Sequence, residues 1–167
     1  MRNTKNLVHA AMIAALYTVL THTQNMLFPE SASFVIQFRA SEALCILAFF
    51  TPAAIPGLTI GCLAFNLTFA GALPLDWLVG SLATLLAAWG MRLLRNLKFR
   101  DLPFLGLLMP ALTNALLVGW ELSVYIGGGF WFNAVCVALG ELGVLLTLGV
   151  LLYRVMRNHR LDARLFG

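Results

Sequence analysis

Arg92-Leu93-Leu94-Arg95-Asn96-Leu97-Lys98-Phe99-Arg100 is a basic connector set inside an otherwise apolar chain. Outward from it, the next basic cluster toward the N-terminus is Arg2 and Lys5. Toward the C-terminus it is Arg154, Arg157, Arg160 and Arg164. Ten of the eleven Lys and Arg residues fall in these three clusters, and only Arg39 lies apart. Juxtamembrane Lys and Arg resist translocation, so such clusters mark the cytoplasmic side. Three cytoplasmic clusters require an even number of crossings between each pair. A spanning helix needs about 20 residues, so the stretch from Asn6 to Met91 has room for four helices and that from Asp101 to Tyr153 for two. The expectation is an all-α membrane protein, a bundle of six transmembrane helices with both termini cytoplasmic, forming one integral domain over residues 1–167.

Composition agrees. Charged residues make up 11% and hydrophobic residues 60%, with a mean hydropathy of +0.87. A soluble domain carries roughly 25% charged residues, so the solvent for most of this surface must be lipid. The net charge of +4 comes from the three clusters, which contact anionic headgroups. They form no basic stripe interleaved with aromatics, so a nucleic-acid partner is a poor reading. Cys45, Cys62 and Cys136 lie in apolar spans without CxxC or a Cys/His cluster and read as packing residues. The basic-then-apolar N-terminus has no clean cleavage site and reads as a retained first helix.

The six helices are expected over about 7–24, 35–51, 58–70, 76–91, 103–125 and 130–153. Pro29, Glu30 and Ser31 form the first external loop. Thr51-Pro52 ends the second helix, because proline disfavours helical geometry in the preceding residue, and Pro56-Gly57 completes a cytoplasmic turn. Pro110 marks a kink in the fifth helix, and Gly127-Gly128-Gly129 is the last external turn. No internal repeat of the kind common in secondary transporters is evident.

Five ionisable residues fall within or beside these spans: Arg39, Glu42, Asp76, Glu121 and Glu141. A charge at the bilayer centre costs at least about 2.5–3.5 kcal/mol, so such residues face an interior and mark function. They come from four helices, and all but Glu141 lie toward the external half, which implies a pocket opening outward. Asn66, Asn114 and Asn133 sit in the same region, and Asn114 shares a helix face with Glu121. Trp77, Trp120 and Trp131 lie at that level too, either as an interfacial belt or, for Trp77 and Trp131, as a stacking surface for a ligand. Arg39 and Glu42 could instead form an internal salt bridge, and Asp76 a helix cap. Glu121 and Glu141 have no basic residue left to pair with. Four carboxylates against one arginine favour a flat ligand rich in N–H donors or cationic, and disfavour phosphorylated or carboxylate ligands.

On helix one, Ala10/Ala14 and Ala11/Ala15 each repeat at four residues, a spacing that lets another helix approach closely. That helix could belong to the same bundle or to a partner. The chain has no GxxxxGK[ST] and cannot drive its own ATP-dependent transport. It has no HExxH and no GxSxG, and no pattern supports a cofactor or a metal, so an enzyme is not expected.

The run Gln37-Phe38-Arg39-Ala40-Ser41-Glu42-Ala43-Leu44, the run Phe49-Phe50-Thr51-Pro52-Ala53-Ala54-Ile55-Pro56-Gly57-Leu58 and the pair Gly61-Cys62 resemble the QueT family of queuosine-precursor transporters. So do Leu75-Asp76-Trp77, Gly80-Ser81-Leu82-Ala83-Thr84, Asn114-Ala115 with Glu121, and Gly140-Glu141. The resemblance runs in order along nearly the whole chain. It implies the substrate-binding (S) component of an energy-coupling factor (ECF) transporter. Such a component pairs with a transmembrane scaffold (T) component and two cytoplasmic ATPases, and small residues on helix one, here Ala11 and Ala15 or their neighbours, would dock on the scaffold. It further implies a 7-deazaguanine queuosine precursor, or queuine, as the ligand captured from outside the cell. Such a base is flat, and its ring N–H and exocyclic amine can both bond one carboxylate. The alternative is a stand-alone carrier for a small nitrogenous base or other vitamin-like compound, coupled to protons through Glu121 or Glu141.

Overall fold

The computed structural model describes residues 2–29 and 38–166. Expectations at Glu30, Ser31, Val35 and Gln37 lie outside these residues. Among the described residues the chain is helical throughout, and its one β feature is an isolated bridge between Phe99 and Leu102. The helices are α1 (Arg2–Leu27), α2 (Ala40–Phe50), α3 (Ala54–Thr68), α4 (Asp76–Leu94), α5 (Phe104–Tyr125), α6 (Phe130–Asn158) and the short α7 (Leu161–Phe166). Three of them, α4, α5 and α6, are long and apolar enough to cross a membrane, while α2 and α3 are apolar but shorter. The 26 residues of α1 are long enough, but its histidines, threonines and Gln24 make it more polar.

Proline and glycine set the breaks. Thr51, before Pro52, is extended at φ −134° and ψ 138° and ends α2. Pro56 does not turn the chain. It sits in the first turn of α3, where the missing N–H has no helical partner to lose. Pro110 has no N–H for the Gly106 carbonyl, and α5 loses its helical pattern for one residue at Leu108. In α6 the ladder widens to a π-helical stretch at Leu145–Gly149.

The centre of the bundle is α2. It packs against α1, α3, α4 and α6, and every residue from Ser41 to Phe49 is buried. Its first seven residues, Ala40–Ile46, form a 3₁₀ helix. At about 2.0 Å per residue there and 1.5 Å in the following α turn, α2 rises roughly 20 Å, short of a hydrocarbon core of about 30 Å. The helix expected from 35 instead begins at Ala40, with Phe38 and Arg39 non-helical before it. The cause is a long-range clamp. The Gln24 side-chain amide donates to the Phe38 carbonyl, and its Oε1 accepts from Ala40 N at 2.6 Å. At the other end of α2, Arg92 donates to the carbonyls of Ala48 (3.4 Å) and Phe49 (3.1 Å).

Close helix approaches use small residues. A Cβ at Gly57 would stand 2.8 Å from the Ala10 carbonyl oxygen, and one at Gly61 2.9 Å from that of Ala14. Ala10 and Ala14 are therefore the buried face of α1 against α3, whereas Ala11 and Ala15 are exposed. A Cβ at Gly119 on α5 would come within 2.8 Å of Ala134 Cα on α6. Leu7, Leu16, Leu82, Trp89, Phe132 and Leu151 stand exposed on the outside, the surface that lipid rather than water would solvate.

The three basic clusters gather at one end of this bundle. Lys5 shares a groove with His9, the His9 ring meets that of Phe166 at 5.2 Å, and Arg100 shares a cleft with Arg154, Arg157 and Arg160.

Candidate substrate-binding site

Arg39 lies at the head of α2, in extended backbone at φ −94° and ψ 104°. That conformation turns its side chain inward, where only 7% of the residue is exposed. Its guanidinium stacks over the Phe65 ring, 5.6 Å from the centroid. It is an electrostatic neighbour of all four carboxylates: Glu42, Asp76, Glu121 and Glu141. The four come from α2, α4, α5 and α6, and each is buried.

Each carboxylate is held differently. Glu42, on the 3₁₀ turn, accepts from the Tyr17 hydroxyl through Oε1 and from Cys45 Sγ at 3.1 Å through Oε2. Asp76, the first residue of α4, accepts from Leu73 N at 2.7 Å, so one oxygen closes the preceding turn. Glu141 accepts from Asn114 Nδ2 at 2.8 Å through Oε1. Glu121 adjoins the Asp76 carboxyl, but among the described residues neither of its oxygens has a donor. Two carboxyl groups side by side offer acceptors, so the space between them calls for a proton or a donor from outside.

The shortage of donors extends beyond Glu121. Oε2 of Glu141 and Oδ1 of Asn66 are also buried without a hydrogen-bond partner among the described residues. Asn66 is fixed by donation from Nδ2 to the Asp76 carbonyl at 2.8 Å. Buried polar atoms are almost always satisfied in native proteins, and each exception calls for an explanation such as a ligand. Here four acceptor atoms in one interior lack donors. No group of three or more potential metal-binding side chains occurs among the described residues.

The structure thus brings together Arg39, Glu42, Asn66, Asp76, Asn114, Glu121 and Glu141. Asn133 is buried as well, but its Nδ2 donates at 2.7 Å to the carbonyl of Gly127 and secures the triple-glycine turn. Trp77 and Trp131 are not buried with the cluster. They are 44% and 76% exposed on the outside of the bundle, as Trp120 is, in the manner of an interfacial belt. Tyr17 is a member that sequence reading missed. It is fully buried and hydrogen-bonded to Glu42. The available signal was its place on the Ala10, Ile13, Ala14, Thr21 face of α1.

An apolar exterior around a buried polar cluster, in a chain with three helices long and apolar enough to cross a bilayer, defines a multi-pass integral membrane protein. The comparisons with known proteins specify it further. The family described as QueT transporter matches residues 7–158, and the chain belongs to that family, one of transporters and not of enzymes. The Queuosine precursor transporter QueT of Lactococcus lactis subsp. cremoris (strain MG1363) is 41% identical over 83 residues, covering 49% of this chain and 46% of that protein. The chain thus matches about half the length of this curated relative. No solved structure matches it.

Proposed function

We propose that this chain is the substrate-binding subunit of an ECF-type importer and that it captures a 7-deazaguanine queuosine precursor, or queuine, from outside the cell. The observation that carries the ligand class is the set of four buried acceptor atoms without donors on Glu121, Glu141 and Asn66. A deazaguanine offers ring N–H groups and an exocyclic amine in one plane, and an aminomethyl-bearing precursor adds a cation. The printed name of the Lactococcus relative supports the same class. In this reading Glu121 and Glu141 take the ligand's N–H groups, and Asn114 holds Glu141 in place. Arg39 balances the surrounding carboxylates, and Tyr17 orients Glu42. Phosphorylated and carboxylate ligands would meet a surplus of acceptors.

The six-helix arrangement with cytoplasmic termini, and the pairing with a T component and two ATPases, rest on the resemblance and on the absence of a nucleotide-binding loop in the sequence. Ala11 and Ala15, exposed on α1 while Ala10 and Ala14 are packed inside, offer the scaffold a smooth strip. The adjoining carboxyls of Asp76 and Glu121 favour a second reading, a proton-coupled carrier working alone. Reconstitution of the chain alone in liposomes separates the two. The importer subunit moves no precursor without its partners and ATP, whereas a carrier moves it down a proton gradient.

A further inference from the structure

At the basic end of the bundle, a cleft of about 800 Å³ is lined by Arg100, Arg154, Arg157 and Arg160, with Asp101 and Asp162 also in its wall. Formal charges leave it at +2. Among the described residues no ion pair joins any of the four arginines to either aspartate. The cleft is nevertheless a built feature. Arg154 and Arg157, three apart on α6, share one helix face. The Phe99–Leu102 bridge closes a two-residue turn over Arg100 and Asp101, and Tyr153 Oη donates to the Asp101 carbonyl at 3.2 Å, fixing that turn against α6. Arg160 reverses the chain into α7, whose Leu161 and Phe166 pack on the core.

The backbone shows what holding these groups together requires. Arg100, Asp101 and Arg160, at φ 47°, 66° and 49°, are the non-glycine residues with positive φ among those described. All three line this one cleft. Strained conformations concentrate where function over-determines the backbone. Four guanidinium groups around one cavity also repel one another unless an anion sits between them, and their planar forks match phosphate oxygens. Exposed Phe99, next to Arg100 in the chain, and exposed Leu151 and Val155, round the side of α6 from Arg154 and Arg157, form an apolar margin outside the cleft's own lining.

We infer that this cleft binds a phosphate group of net negative charge, supplied by an anionic phospholipid whose acyl chains lie along Leu151, Val155 and Phe99. Basic pockets between membrane helices recognise headgroups in this way. A free phosphate ion shares the chemistry but gains nothing from the apolar margin.

Native mass spectrometry of the full chain in detergent, titrated with phosphatidylglycerol and separately with phosphatidylcholine, tests this. Phosphatidylglycerol should bind more tightly at one site. Arg154→Gln with Arg157→Gln should weaken that site roughly 25-fold, whereas Arg95→Gln with Lys98→Gln, the same charge change outside the cleft, should leave it within about twofold. Asp162→Asn should tighten it roughly fivefold, which tests the site in a chain that keeps every arginine. Inorganic phosphate forms a separate arm. If it displaces the lipid only when in large excess, the lipid is the source. If it binds alone and is lost with the Arg154/Arg157 pair, the site takes the free ion. Equal weakening by both double variants would make the binding a general charge effect, and no preference for phosphatidylglycerol together with no phosphate binding would leave no site. Either result overturns the inference.

Discussion

Asn114 on α5 donates to Oε1 of Glu141 on α6 at 2.8 Å, and the second oxygen of the same carboxyl has no donor. One half of Glu141 is thus fixed by the protein while the other half is left open, as a pre-organised ligand acceptor requires. Asn114→Ala removes the fixing donor and leaves both oxygens buried and open. The expected loss is about 1–3 kcal/mol, divided between folding and ligand affinity. Thermal unfolding and ligand titration of the same variant would measure it, and unchanged values in both would make the contact incidental.

Tyr17 joins α1 to the central helix through Glu42. Tyr17→Phe keeps the ring and removes the donor, so Glu42 retains only the weak Cys45 thiol among its hydrogen bonds described above. A hydrogen bond to a charged group contributes about 1.5–3 kcal/mol, and ligand affinity should fall with it. Phe at this position with undiminished affinity would place Glu42 outside the site.

The two alanine pairs of α1 should respond in opposite ways. Gly61→Val drives a side chain into Ala14 and the Tyr17 Cβ, 2.8 Å away, and should destabilise the isolated protein by about 1–3 kcal/mol. Ala11→Leu with Ala15→Leu adds bulk on the exposed side of the same helix. On the proposed importer reading, it should leave folding and ligand binding intact but abolish assembly with the scaffold and ATPases, and with it uptake. Pull-down with the scaffold and ligand titration of that double variant decide the matter. Intact assembly moves the docking surface elsewhere.

Trp77 and Trp131 are exposed, unlike the buried acceptor cluster. Trp77→Ala with Trp131→Ala should therefore change ligand affinity by less than about 0.5 kcal/mol, as for surface positions away from a site. A larger loss in the same calorimetric titration would bring one of them into the site.

The carboxylates were legible in the sequence because a charge in an apolar span stands out whatever the packing. Their convergence on Arg39 was legible only in outline. Arg39 reads as part of a helix from 35 onward, and what makes it extended is the Gln24 amide, a contact between residues distant in the chain that no local propensity encodes. Tyr17 was hidden because a tyrosine in an amphipathic helix reads equally well as an interfacial residue. The alanine pairs differ by one position on the same helix. Which pair is buried depends on Gly57 and Gly61 lying opposite, a fact of tertiary packing. Pro56 read as a turn because proline occurs both in turns and in the first turn of a helix, and only its place three residues into α3 distinguishes the two.

The central claim is that buried acceptors without donors form the ligand site. Calorimetry of a 7-deazaguanine base, with and without the aminomethyl group, against the parent, Glu121→Gln and Glu141→Gln tests it most directly. Each substitution keeps the side-chain shape and replaces one carboxyl acceptor oxygen by an amide donor, so each should weaken binding by about 1–3 kcal/mol, roughly 5- to 150-fold, with the unfolding midpoint nearly unchanged. If both variants bind the base as tightly as the parent, the glutamates are structural and the site lies elsewhere.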